Sequence, residues 1–456
     1  MSPTSDDEAN RLSGRLARYA RVGGGVGGLA ARMLGARALG RDVDRGIRAQ
    51  DLARLLGGLK GPLMKVAQLA ATIPDVLPPE YAQELQKLQA DAPPMGWAFV
   101  RRRMRAELGD AWEKRFKSFE HQPAAAASLG QVHRAVAPDG RTVACKLQYP
   151  DMDSAVEADL SQLGVILAMQ RRFSPEIDTR EVLKELSARL REELDYEREA
   201  RHILLYRAIL AGSPQVRVPE VVAELSTRRL LTMTWLDGAR LLAYVSHSQE
   251  HRNRIAKALF RAWWHPFAHF GVIHGDPHLG NYTVFDEDGA PQGLNLLDYG
   301  CIRIFPPGFV EGVIELYRGF QTNDRARVAA AYRIWGFRIL TNEMIDTLSV
   351  WARFIYAPLL DDRVRTIADG VEPHKYGRRE VWRVKQALRP QGSVTIPREF
   401  VLMNRAAVGL GAVFLHLRAE LNFHLMFEAE IEGFEREALT SRQAAQLGAA
   451  GLPGAG

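Results

Sequence analysis

Asp276, Asn281 and Asp298 are the residues of this chain whose types and spacing can do chemistry. They lie in His274-Gly275-Asp276-Pro277-His278-Leu279-Gly280-Asn281 and in Leu297-Asp298-Tyr299-Gly300. A carboxylate, an amide five positions later and a second carboxylate beyond a short strand-turn-strand are what magnesium-dependent phosphoryl transfer requires: hard oxygen ligands and a base position. A histidine-containing turn followed by a hairpin that ends in Asp-aromatic-Gly has the layout of a kinase-type catalytic loop and metal-binding loop. In this reading Asp276 orients or deprotonates the attacking hydroxyl or water, and Asn281 and Asp298 hold Mg2+ against the phosphates of ATP. His274 and His278 are read as structural, fixing the loop by hydrogen bonds.

A phosphate-handling site also needs a cation and a loop that comes close to the nucleotide. Lys146 stands in Val143-Ala144-Cys145-Lys146, one residue away from the Val-Ala-Ile-Lys strand pattern, and is read as the group that neutralises phosphate charge. The preceding loop, Ala125-Ala126-Ala127-Ser128-Leu129-Gly130, carries alanines where most phosphate-covering loops carry glycines. Alanine narrows the backbone freedom, so nucleotide preference should differ from that of an ordinary kinase. A helix follows from Thr179, with Leu183, Leu186, Leu190 and Leu194 at helical spacing and an acidic run Glu192 to Glu199. One of its acids is the natural partner of Lys146, the others a solvated face; spacing does not say which.

Two further elements position these groups. Val216 to Glu224 and Arg229 to Trp235 predict two antiparallel strands leading into a hinge at Leu236-Asp237-Gly238. Ile255 to Phe270 predicts a helix whose Trp263, Trp264, Phe267 and Phe270 form core. Gly275 occupies the place of an arginine that reads a phosphorylated activation loop in many protein kinases, and no Ala-Pro-Glu follows Gly300. A peptide-docking platform is therefore not expected.

The chain of 456 residues is long enough for two or three domains. A hydrophobic fraction of 46% with 25% charged residues is that of a soluble globular protein. The net charge of +6 suits a phosphate-bearing ligand or an anionic membrane surface, and nucleic acid is not expected as a partner. Two cysteines, Cys145 and Cys301, exclude a disulfide framework and a cysteine-based zinc site; both are read as small apolar fillers in a reducing compartment. The acidic opening Ser5-Asp6-Asp7-Glu8 does not read as a secretory signal, and no apolar run reaches the roughly 20 residues of a membrane span. The expectation is a cytoplasmic protein in peripheral contact with a membrane.

The expected fold is α+β, a bilobal protein-kinase-like fold with a helical N-terminal extension. Residues 1–45 predict a flexible Arg/Gly/Ala-rich leader or a membrane-contacting segment. Residues 46–115 predict the helical extension, 116–235 the small lobe, 236–430 the helical large lobe and 431–456 a disordered tail. Within the extension, Lys65 and Gln68 lie one helical turn apart.

Taken together, these motifs resemble the UbiB/AarF/ADCK family of atypical kinase-like proteins, closest to its Coq-type members linked to ubiquinone biosynthesis, from about Leu52 to Leu417. The family's Lys-x-Gly-Gln element resembles Lys65-Val66-Ala67-Gln68, with alanine in place of glycine; in relatives it folds over the active site and restricts substrate access. The alanine-rich loop resembles Ala125 to His133 without a gap. The Glu-x-Asp element resembles Glu193-Leu194-Asp195, which implies that Glu193 pairs with Lys146. Thr234 replaces a family acid in the hinge strand, and Pro397 to Leu417, with Arg405 and Gly409, resembles the family's C-terminal region. The resemblance implies an atypical kinase or ATPase using ATP and Mg2+. Its implied partners are an isoprenoid or quinone-precursor lipid and quinone-biosynthesis proteins. A nucleotide-gated lipid scaffold with little turnover and a small-molecule phosphotransferase of the aminoglycoside-kinase type are the alternatives.

Overall fold

The computed structural model describes residues 95–127, 129–150, 152, 156–157, 160–161, 187–188, 190–337, 340–368 and 398–454. Lys65, Gln68 and Ser128, the leader and most of the N-terminal extension lie outside the described residues. The chain divides into two compact units. One holds the residues up to Arg198 together with Val221–Trp235, the other Glu199–Glu220 and everything from Leu236.

In the first unit, helix α1 (Trp97–Leu108) precedes strands β1 (Ser118–Phe119), β2 (Ala125–Ala127), β3 (Gly130–Val136) and β4 (Thr142–Gln148). Helix α2 (Tyr196–Ile209) opens here, β5 (Val216–Arg217) belongs to the second unit, and β6 (Leu230–Thr234) returns to the first. The sheet runs β1-β3-β4-β6 with β2 also on β3, and every pairing is antiparallel. Because side chains alternate along a strand, Val143, Cys145 and Leu147 of β4 enter one core with Val100 and Met104 of α1. Lys146 is thereby placed on the opposite face.

The strand predicted over Val216 to Glu224 is broken up. Val216–Arg217 pairs in parallel with Leu294–Asn295, a single bridge joins Val221 to Met233, and Ala223–Leu225 forms a short 3-10 helix. Pro219, which has no N–H to donate, sits at the break.

The second unit is built on helix α3 (Gln249–Phe270). Ser248 caps its N-terminus by accepting the His251 N–H, and Leu259, Phe260, Trp263 and Phe267 are buried along it. A four-stranded sheet runs β5-β10-β9-β7, with β7 at Ala239–Arg240, β9 at Tyr282–Glu287 and β10 at Ala290–Leu296. Strands β8 (Val272–His274) and β11 (Ile302–Ile304) form a two-stranded antiparallel ribbon. Helices α4 (Pro307–Gln321), α5 (Arg325–Ile334), α6 (Asn342–Tyr356), α7 (Arg398–Leu417), α8 (Phe423–Ile431) and α9 (Arg436–Ala449) follow.

Helix α9 corrects the expectation of a disordered tail. Leu439 and Leu447 are buried, and the Gln443 amide donates to the Phe270 and Phe305 carbonyls at 2.7 and 2.9 Å. The Ala- and Gly-rich composition hides a helix that is held by long-range docking rather than by a broad apolar stripe. Among the described residues no helix is long and apolar enough to cross a membrane.

Candidate active site

Each unit carries one group of the expected site residues. In the first, Lys146 lies opposite Val132 on β3 and Leu231 on β6. Its ammonium sits 5.2 Å from the centroid of the buried Tyr196 ring, within reach of a cation–π attraction. Two residues on, and on the same face of β4, Gln148 donates its amide to the Leu194 carbonyl at 3.0 Å. Buried Arg103 donates to the carbonyls of Gln148 and Tyr149 at 3.3 and 3.4 Å. Asp195 accepts the Arg198 N–H at 2.9 Å and so caps the start of α2. Glu193 ends the helical stretch that runs into Leu194 and Asp195, the residues tied to β4 and to α2.

The alanine loop is strand β2, with Ala125 opposite Val132, Ala126 opposite Gln131 and Ala127 opposite Gly130. Gly130 is set by close approach, since a Cβ there would stand 2.2 Å from the Leu147 carbonyl oxygen. Beyond it, Gln131 and His133 are buried structural groups. The Gln131 amide meets the Met95 backbone at 2.9 and 3.3 Å and His133 Nε2 at 2.8 Å, while His133 Nδ1 lies 2.8 Å from the Glu120 carbonyl. Burial pushes the His133 imidazole below its ordinary pKa against the raising effect of Glu120, so it is neutral at pH 7.

In the second unit the ribbon brings the loops of Asp276 and Asp298 together. His274 pairs with Ile302 and the Gly275 N–H donates to the Cys301 carbonyl at 2.9 Å, so Asp276 leaves β8 where Asp298-Tyr299-Gly300 leads into β11. A Cβ at Gly275 would stand 2.5 Å from the Cys301 carbonyl oxygen. The ribbon itself thus excludes the arginine found at this place in many protein kinases.

His274 joins the two loops. Its Nε2 lies 2.6 Å from the Asp298 carbonyl, and its Nδ1 accepts the Asp276 N–H at 3.4 Å. With Nδ1 accepting, the proton belongs on Nε2, where the Asp298 carbonyl accepts it. The indole N–H of Trp263 donates to the His274 carbonyl at 3.2 Å, which anchors the loop to α3. His278 accepts the Gly280 N–H on Nδ1 at 3.1 Å and shapes the turn before Asn281.

Asn281 donates its side-chain N–H to the Asp276 carbonyl at 2.8 Å. That bond turns the amide so that Oδ1 is the atom left to act as a ligand. The Asp298 carboxylate accepts the Gly300 N–H at 2.9 Å. An amide oxygen and a carboxylate are the hard donors that suit Mg2+ rather than a soft metal.

Glu199 and His202 are part of this frame. Glu199 accepts the Tyr299 N–H at 3.5 Å and His202 Nδ1 lies 2.9 Å from the Tyr299 carbonyl. Both are buried, so Glu199 is removed from the solvated acidic face expected for this helix. Their spacing of three residues on one helix is the only local signal, and the partner is 100 residues away for Glu199 and 97 for His202. Gly409 of α7 also packs on the loop that carries Asp276: a Cβ there would stand 2.8 Å from Cγ of Pro277.

A family profile described as the ABC1 atypical kinase-like domain matches residues 87–332. The AarF domain-containing protein kinase 1 of Xenopus laevis is 31% identical over 289 residues, covering 62% of this chain and 55% of the relative. The mitochondrial atypical kinase COQ8 of Saccharomyces cerevisiae is 31% identical over 253 residues, covering 55% and 50%. The chain spans about half the length of these curated relatives. Among solved structures, the Rv3197–erythromycin complex from Mycobacterium tuberculosis superposes with a TM-score of 0.59 at 28% identity, covering 85% of this chain and 96% of that one.

Proposed function

Since the chain belongs to the ABC1 family of atypical kinase-like proteins, we propose that it is a Mg-ATP-dependent atypical kinase or ATPase of the UbiB type. In this reading it supports ubiquinone or another isoprenoid-lipid pathway at a membrane surface. The reading rests chiefly on one observation: Asp276, Asn281 and Asp298 are wired into a single unit by His274 and by the Asn281 amide.

Asn281 Oδ1 and the Asp298 carboxylate hold Mg2+, which supplies charge neutralisation on the nucleotide phosphates when bound. Asp276 orients the attacking hydroxyl or water and accepts its proton. Lys146 binds phosphate oxygens and stabilises the negative charge as the bond to the leaving group breaks. Glu193 orients Lys146, and the backbone of Ala125–Ala127 and Gly130 covers the nucleotide; Ser128, Lys65 and Gln68, assigned to the nucleotide from the sequence, lie outside the described residues. Quinone-biosynthesis proteins and a lipid precursor are the partners this role implies.

The test is ATP turnover by the purified chain with and without anionic-lipid vesicles, beside Asp298→Asn. Turnover lost in the variant and raised by vesicles is the expected result. Equal background rates in both proteins would end the enzymatic reading.

A second reading is favoured by the structural neighbour solved in complex with erythromycin, a bulky amphipathic small molecule. In that reading the ligand here is of the same kind, held with little turnover. A thermal shift with erythromycin that persists in Asp298→Asn, without ATP turnover in either protein, supports it.

A further inference from the structure

We propose that His265, His269 and Glu430 form a binding site for a divalent transition cation of the zinc class, separate from the magnesium ligands. His265 and His269 lie one turn apart on α3 and present their imidazoles on one face. Glu430 comes from α8, far away in sequence. Its Oε2 lies 3.2 Å from His265 Nδ1 and 3.3 Å from His269 Nε2, and the three donor atoms fall within 4.8 Å of one another.

The two nitrogen–oxygen spacings fit a tetrahedral ligand set as well as a hydrogen bond. Around a tetrahedral zinc with bonds of about 2.05 Å, neighbouring ligand atoms stand about 3.3 Å apart. A charge-assisted N–H···O bond closes to about 2.7–2.9 Å. The same carboxylate makes such a close contact at its other oxygen, where Arg261 Nη1 stands 2.6 Å from Oε1. One carboxylate therefore faces Arg261 through Oε1 and both imidazoles through Oε2. Arg261 fixes the rotation of Glu430, as partners of a metal-bound carboxylate do.

Burial fits the same role. The Glu430 side chain is 6% exposed, whereas His265 and His269 are 17% and 31% exposed, so the imidazole side gives access to the ion and a fourth position for water. Two imidazoles and one carboxylate select zinc, cobalt or nickel over magnesium and calcium. A bound ion pins α8 to the C-terminal end of α3, which passes through Gly271 into β8 and His274. The site would thus couple metal supply to the helix that anchors the catalytic loop.

The experiment titrates the chelator-treated full chain with Zn2+ and with Co2+ in excess Mg2+, following bound metal, the visible spectrum of Co2+ and thermal unfolding. The expected result is one tightly bound equivalent with an intense, tetrahedral-type Co2+ band and a raised melting temperature. His265→Ala/His269→Ala is expected to weaken binding tenfold or more, and so is the milder His269→Ala, which keeps the half-buried His265 in place. Asp298→Asn is expected to retain the equivalent. Absence of a bound equivalent in the wild type overturns the proposal. Binding unchanged in both histidine variants, or abolished by Asp298→Asn, overturns it as well.

Discussion

The Nε2 of His274 lies 2.6 Å from the carbonyl oxygen of Asp298, while its Nδ1 accepts the N–H of Asp276 at 3.4 Å. One buried imidazole therefore sets the separation of the two carboxylate-bearing loops. His274→Ala leaves that carbonyl without its donor, at a cost of about 1–3 kcal/mol in stability. It is also expected to raise the Mg2+ concentration needed for half-maximal ATP turnover and to lower turnover at least about tenfold. Thermal unfolding and a Mg2+ titration of ATP hydrolysis measure both effects. An active variant with unchanged magnesium demand would show that His274 does not position the loops.

Gly409 offers a test that touches no polar group. Gly409→Val places methyl groups where Cγ of Pro277 would stand 2.8 Å from the Cβ alone, so either α7 or the catalytic loop must move. The expected cost is about 1–3 kcal/mol in stability, with a larger proportional loss of turnover than of folded protein. Gly448→Ala, inside α9 with no atom near the added methyl, should be neutral or stabilising by about 0.5 kcal/mol. Steady-state turnover beside urea unfolding of the two variants separates the effects.

The candidate base and magnesium positions were legible because phosphoryl-transfer chemistry itself dictates their spacing: Asp276, Asn281 and Asp298 occur at short separations in one stretch of chain. Lys146 was legible from its Val143-Ala144-Cys145-Lys146 pattern, and strand alternation turns it to the face away from the core-facing Cys145. Glu199 and His202 were not, because their roles exist only once Tyr299 arrives about 100 residues later. Helix α9 was missed on the same physical ground. Gln443 finds its acceptors at Phe270 and Phe305, 173 and 138 residues away, and composition carries no trace of such contacts. The parallel pairing of Val216–Arg217 with Leu294–Asn295 is likewise a tertiary event that local strand propensity cannot anticipate.

Glu199→Ala tests the bracing of the metal loop from behind. The buried Tyr299 N–H loses its acceptor, and a destabilisation of about 1–3 kcal/mol is expected. Asp298 follows Tyr299 in position, so magnesium-dependent turnover should fall with it. Glu199→Gln keeps an acceptor oxygen and should recover most of the stability. A Gln variant as unstable as the Ala variant would show that the hydrogen bond is not what braces the loop.

The two cysteines should differ sharply in reactivity. Cys145 is fully buried in the core of the first unit, and burial pushes its thiol up to about 12 despite the lowering effect of Thr232, so almost no thiolate exists at pH 8. Cys301 is half-buried beside Gly300. Alkylation followed by peptide mass spectrometry should label Cys301 in the native protein and Cys145 only after unfolding. Native labelling of Cys145 at a comparable rate would mean that the β4 core opens far more readily than its packing implies.

His133 makes the first unit sensitive to mild acid. The buried imidazole titrates below its ordinary value of 6.5, so the unfolded chain binds its proton more readily than the folded one. Stability from this group is complete above pH 6.5 and is lost as the pH falls from there towards the lowered folded value. Protonation would also put a proton on Nε2 facing the Gln131 amide N–H, 2.8 Å away, while Nδ1 keeps donating to the Glu120 carbonyl, so only the Glu120 bond survives without rearrangement. Urea unfolding between pH 7.5 and 5 should show a falling midpoint in the wild type and a flatter dependence in His133→Gln. Parallel slopes in the two proteins would assign the acid sensitivity to other groups.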